Sequence, residues 1–158
     1  MAAKRTIGVI SDTHGLLRPE VHEAFRRVDR ILHAGDIGSP EILKELQSIA
    51  PVTAVRGNND KGGWARSIPE RERLRILASR IYMIHDVKEL TSLREVAGFD
   101  VVISGHSHRP SIETRDGILF LNPGSAGPRR FSLPVTVVKL VVGGAAVNAE
   151  IVELWRPC

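Results

Sequence analysis

The sequence predicts an α/β protein of two packed sheets with helices outside. Its first half alternates short apolar runs with amphipathic segments. Its second half is dominated by pairs of strand-like runs joined through turn signals. Apolar strands separated by helices argue for parallel pairing with both faces covered, whereas close turn signals argue for antiparallel hairpins.

Thr6 to Ser11 (TIGVIS) reads as a buried strand, followed by a loop and an amphipathic helix from about Pro19 to Val28. Ile31 and Leu32 form a second short strand. Ser39-Pro40-Glu41 starts a helix that runs to about Ile49, with Ser as cap, Pro at the first helical position and Glu in the positive first turn. Val52 to Val55 makes a third strand. Leu74 to Leu77 and Arg80 to Ile84 form a strand pair joined at Ala78-Ser79. A helix at about Leu90 to Ala97 leads into a strand at Asp100 to Ser104. Ile112 to Thr114 and Ile118 to Leu121 flank Arg115-Asp116-Gly117, a hairpin signal. Pro134 to Val142 and Ala145 to Leu154 flank Gly143-Gly144, another hairpin. No repeat, low-complexity block or linker interrupts residues 1–158, so one domain is expected.

A chain of 158 residues buries enough surface to need neither disulfide nor metal for its core. The single cysteine, Cys158, has no internal partner, which fits a reducing compartment. The apolar stretch Ile7 to Ile10 is too short for a signal peptide, and no run approaches a membrane span. A cytoplasmic location without a membrane partner is expected. The net charge of +4 suggests anionic partners. The arginines are scattered from Arg5 to Arg156, however, and aromatics make up only 4% of the chain, so nucleic acid is not the expected partner.

Chemistry concentrates at the ends of apolar runs. Asp12-Thr13-His14 follows TIGVIS, Gly35-Asp36 follows RILHA, and Gly57-Asn58-Asn59-Asp60 follows VTAVR. His85-Asp86 follows RIYMI, and Gly105-His106-Ser107-His108 follows VVIS. Ligands of open α/β sheets bind beyond the carboxyl ends of the strands, so these segments should converge on one rim. On extended backbone, residues i and i+2 point the same way about 6.6 Å apart, so Asp12 with His14, and His106 with His108, could each present two donors. Imidazoles, carboxylates and an amide oxygen suit Mn, Fe, Zn, Ni or Co better than Ca.

Each segment has an ordinary explanation by itself. An aspartate after a strand often caps a helix, a lone histidine often sits in a core, and asparagine beside glycine usually marks a turn. Five such segments at five strand ends point instead to a shared metal centre. His33, just before Ala34-Gly35-Asp36, is read equally as a donor to a ligand or as a core histidine. A phosphate-binding P-loop is excluded, because Gly63 and Trp64 stand where Lys and Ser or Thr are required.

These segments resemble the calcineurin-like metallophosphoesterase superfamily, whose pattern is D-x-H, G-D, G-N, H and G-H-x-H, in this order. The short length and the segment LNPGSAGPRR (Leu121 to Arg130) are similar to its small YfcE-type phosphodiesterase branch. The resemblance implies a four-layer α/β/β/α sandwich of two mixed sheets flanked by helices. It implies two divalent transition-metal ions, manganese first, with nickel, iron, zinc or cobalt as alternatives. Asp12, His14, Asp36 and His108 would hold one ion. Asp36, Asn58, His85 and His106 would hold the other, with Asp36 bridging. A shared anionic ligand offsets the repulsion of two cations roughly 3.5–4 Å apart, and a bridging hydroxide would attack phosphorus in line. Asn122-Pro-Gly-Ser would line the phosphate end of the cleft through backbone N–H groups.

Two positions depart from the pattern. Asn59 stands where many relatives have His; as a catalytic residue it can hydrogen-bond to phosphate but cannot serve as general acid. Asp86 stands where relatives usually have Gly. The expected activity is hydrolysis of a small or nucleotide-like phosphodiester. A non-catalytic scaffold, like the retromer subunit of similar fold, and a nuclease are the alternatives. Homo-oligomerisation is left open.

Overall fold

In the computed structural model, which describes residues 3–144 and 146–155, the chain forms two five-stranded sheets. Strands β1 (Lys4–Ile10), β2 (Arg30–His33) and β3 (Val52–Ala54) run parallel, connected by helices α1 (Pro19–Ala24) and α2 (Pro40–Gln47). A short helix, α3 (Gly63–Arg66), leads to β4 (Arg71–Ile76) and β5 (Ser79–Ile84), which pair antiparallel. Strands β6 (Val101–Ile103) and β8 (Ile118–Asn122) run parallel to β5, and β7 (Ser111–Arg115) closes that sheet antiparallel to β8. The last hairpin, β9 (Val135–Gly143) and β10 (Asn148–Trp155), returns to the first sheet, where β9 lies antiparallel to β1. The strand orders are β10-β9-β1-β2-β3 and β4-β5-β6-β8-β7. The parallel and antiparallel halves of the sequence therefore do not map onto the sheets. The first sheet ends in a parallel edge at β3 and an antiparallel hairpin at β9 and β10, whereas the second has a parallel centre between two antiparallel edges.

Side-chain alternation assigns each strand face. Ile7, Val9 and Leu32 of the first sheet meet Ile81, Met83, Ile103 and Leu121 of the second in the space between them. The opposite face of the first sheet, carrying Ile10 and Ile31, is covered by α1 and α2 through Val21, Ile42 and Leu46. The opposite face of the second sheet, carrying Tyr82, Val102 and Phe120, is covered by Val96 and Phe99.

That last covering layer differs from expectation. The helix expected at Leu90 to Ala97 is two 3-10 turns, Val87–Glu89 and Leu93–Val96. Local side-chain bonds compete with α-helix here. The Ser92 hydroxyl accepts from the Arg94 N–H at 3.1 Å, and Glu95 Oε1 accepts from both the Thr91 N–H and hydroxyl. Arg71 holds the other carboxylate oxygen of Glu95. The α-helix expected to reach Val28 ends at Ala24, although Phe25 and Val28 stay in the same buried cluster. Ala145, the expected start of the last strand, and Cys158 lie outside the described residues. No helix among the described residues is long and apolar enough to cross a membrane.

Candidate metal centre

The loops that leave β1, β2, β5 and β6 meet at one rim. Asp12, His14 and His108 form one group of donors, and Asp36, His85 and His106 a second, each with its donor atoms within 4.8 Å of one another. Asp12 Oδ1 lies 3.4 Å from His108 Nε2 and 3.7 Å from His14 Nε2. Asp36 Oδ2 lies 3.3 Å from His85 Nε2 and 3.7 Å from His14 Nε2, so one carboxylate oxygen faces both groups. Asn58, on the turn after β3, is exposed and lines a cleft of about 170 Å³ with Arg56, Glu70 and His85.

The backbone is held in costly conformations to achieve this. Asp12 (φ 55°), His14 (φ 46°), Asp36 (φ 55°), His106 (φ 72°) and His108 (φ 63°) all occupy the left-handed region. A side chain there costs about 1–3 kcal/mol and persists only where surrounding structure dictates it. Cross-loop bonds supply that constraint. The Asp12 and His14 N–H groups donate to Gly35 and Asp36 carbonyls at 2.9 Å, and the His106 N–H donates to Asp12 Oδ2 at 3.0 Å.

Several bracing residues had only weak signals in the sequence. Asp60 is buried and accepts from the N–H groups of Ile37, Gly38 and Gly57, tying the Asp36 loop to the loop after β3. Its adjacency to the Gly-Asn-Asn run was the available clue. The Ser11 hydroxyl donates to Asp12 Oδ2 at 2.7 Å. The Asn122-Pro-Gly-Ser segment acts as a brace here. Its Gly124 N–H is taken up by Asn122 Oδ1, and the Ser125 hydroxyl donates to the Asp12 carbonyl at 3.0 Å.

The electrostatics are those of a cation site. Burial opposes the charge on Asp12, but His108 and His14 outweigh it and hold the carboxyl far below its ordinary range. Asp36, likewise opposed by burial, is held at about 2 by His85 and by the Asn59 N–H. His85, despite burial, is raised to about 9 by Asp36 and Asp12, and His14 is raised chiefly by its contact with Asp12. Arg130 opposes protonation of His14, so its charge reaches this rim. Asp12 Oδ1 and His85 Nε2 are buried without a hydrogen-bond partner in the protein, 3.9 Å apart. The His85 Nδ1–H donates to the Ala34 carbonyl at 2.7 Å, which leaves Nε2 as the nitrogen offered to a ligand. Orphaned anionic and imidazole donors converging on one space fit divalent transition metals.

Asn59 turns onto Asp36, its N–H donating to Oδ1 at 2.9 Å and its Nδ2 to Oδ2 at 3.0 Å. His33 is fully buried, and its ring nitrogens bond to Thr13 and Gly35. Its Nδ1 accepts from the Gly35 N–H, so Nε2–H donates to the Thr13 hydroxyl, which donates on to the Ile37 carbonyl at 2.8 Å. It therefore braces the two aspartate loops as a neutral imidazole. Burial lowers its pKa to about 4, below the ordinary histidine value. The unfolded chain thus binds more protons between about pH 4 and 6.5, and stability from this group is lost as pH falls through that window, by about 3 kcal/mol. The raised histidines titrate above this window and Asp12 and Asp36 below it, while Glu95, held at about 2 chiefly by Thr91, contributes only at its acid end. Urea unfolding from pH 7 to 4.5 should show this slope, and His33→Gln should flatten it; an unchanged slope would refute the assignment.

Known proteins carry the same framework. The chain matches the calcineurin-like phosphoesterase superfamily domain over residues 6–143. It is 41% identical to a probable metallophosphoesterase of Methanothermobacter thermautotrophicus, with 96% of this chain and 94% of the relative covered. It is 31% identical to a phosphodiesterase of Methanocaldococcus jannaschii, with 75% of this chain and 82% of the relative covered. The structure of vacuolar protein sorting 29 from Cryptosporidium parvum superposes with a TM-score of 0.78 at 19% identity, covering 97% of this chain and 99% of that one, a likeness of fold alone. With the matched domain covering every strand but β10 and every loop of the donor cluster, the chain belongs to the calcineurin-like phosphoesterase superfamily.

Proposed function

We propose that the protein is a metal-dependent phosphodiesterase acting on a small or nucleotide-like diester. The observation that carries this reading is the position of Asp36 Oδ2 between the two donor groups, 3.3 Å from His85 Nε2 and 3.7 Å from His14 Nε2. Asp12, His14, Asp36 and His108 would hold one divalent ion, and Asp36, Asn58, His85 and His106 the other. Bound there, the pair of ions would supply positive charge for phosphoryl oxygens and acidify water near neutral pH. The chain's own part is to fix the donors. Asp12 and Asp36 stay ionised, and His85 is oriented through Ala34. That one of the relatives is a phosphodiesterase supports a diester as the substrate.

A scaffold without catalysis remains the contrasting reading. The completeness of the donor set favours an enzyme. The test is an assay on bis- and mono-aryl phosphates after chelation, with Mn, Ni, Zn or Mg added back. Activity should vanish on chelation and return with manganese first; no activity with any metal would refute the reading. Because an amide at Asn59 cannot donate a proton as a general acid, rates across a series of aryl diesters should fall as leaving-group pKa rises. A flat dependence would show that another group protonates the leaving oxygen.

A further inference from the structure

We propose that Asp86 is a positioning residue for His106, strengthening the hold on the second ion and tilting the site toward monoanionic diesters. The inference rests on the metal-dependent reading above.

Asp86 has two carboxylate oxygens with separate tasks. Oδ1 accepts from the Lys88 N–H at 3.0 Å and caps the 3-10 turn Val87–Glu89. Oδ2 stands 3.7 Å from His106 Nε2. The other histidines of the cluster lie against the buried carboxylates of Asp12 or Asp36. His85 is held by the Ala34 carbonyl, and His14 and His108 lie against each other and against Asp12. The His106 side chain is 45% exposed, against 23% for His14 and 4% for His85 and His108. Among the described residues, its ring is met by Asp86 and, edge-on, by the ring of His85 at 5.2 Å. A carboxylate beside the imidazole nitrogen that does not bind the metal orients the ring and raises the basicity of the other nitrogen, so Asp86 at Nε2 would leave Nδ1 for the ion; losing such a partner typically weakens metal binding about 10–100-fold. Glycine, the residue that the family pattern leads one to expect here, can do neither.

Asp86 also changes the charge seen by substrate. The proposed ligands include only two carboxylates, Asp12 and Asp36, against two divalent ions. A third carboxylate at the exposed edge of the second group reduces the net positive charge facing an incoming phosphate. By Coulomb's law this penalises a dianionic monoester more than a monoanionic diester. One residue thus couples retention of the second ion to the class of ester preferred.

Asp86→Asn tests this, because the amide oxygen can still cap Lys88 while the charge is gone. Titration of metal-free protein with Mn should show two binding steps in the wild type. In D86N one of the two steps should be about tenfold weaker and the other unchanged. The diester-to-monoester ratio of kcat/KM at saturating Mn should fall about threefold. D86E should restore both quantities. A D86N protein that binds both ions like the wild type, or that loses both steps equally, would overturn the proposal. A shift that D86E fails to rescue would also overturn it. Wild-type protein that takes up no Mn at all would overturn the metal-centre reading itself.

Discussion

Asp36→Asn is expected to abolish binding at both positions and to lower kcat/KM on an aryl diester by about 10³-fold or more, a barrier increase of at least about 4 kcal/mol. Asp36 is nearly fully buried, and among the described residues its Oδ2 is the one carboxylate oxygen within 3.7 Å of imidazole nitrogens from both groups. Asparagine keeps the shape and removes the charge that opposes cation repulsion. It also places an amide NH₂ where Asn59 already donates to each carboxylate oxygen, so one donor must face another. Metal stoichiometry of the purified variant, measured beside diester turnover, checks the expectation. Retention of two ions per chain would refute the bridging role.

Gly57→Ala is expected to damage both fold and site although it adds one methyl group. A β-carbon at Gly57 would fall onto Asp36 Oδ1 and the Asp36 backbone nitrogen, atoms that cannot yield without moving the aspartate. The Gly57 N–H is meanwhile held by Asp60 Oδ2 at 2.9 Å, so the loop cannot simply back away. Overpacking of this kind costs about 1–3 kcal/mol. The displacement of Asp36 should cost metal affinity as well. Gly63→Ala is the matched control, since a β-carbon there meets nothing within 4 Å. Urea midpoints should fall for G57A and hold or rise for G63A. A G57A protein as stable as the wild type, with full metal uptake, would refute the steric argument.

Much of this was legible in the sequence because the signals were local. Apolar runs bounded by polar segments located all three strands of the parallel unit β1 to β3, and Ser39-Pro40-Glu41 located the start of α2. The segments at the strand ends named the donors that meet at the rim. What escaped depended on distance in space. A hairpin signal at Gly143-Gly144 announces pairing between β9 and β10, but only packing decides that β9 lies against β1. The span from Leu90 to Ala97 has helical composition, yet Thr91 and Ser92 bind nearby backbone and side-chain groups and divert it into 3-10 turns. The bracing roles of Asp60, His33 and Ser125 are likewise absent from any short motif. Their bonds span twenty residues or more, apart from Asp60's bond to Gly57 and His33's to Gly35.

The left-handed backbone at five of the donor positions carries an evolutionary consequence. These conformations cost the fold stability, and what they supply is donor placement. A lineage released from metal binding would gain by exchanging those residues for glycine, which tolerates such angles at lower cost. The scaffold would outlive the chemistry, more robust than before. An architecture of this kind is therefore predisposed to leave descendants that keep its shape while giving up its ions.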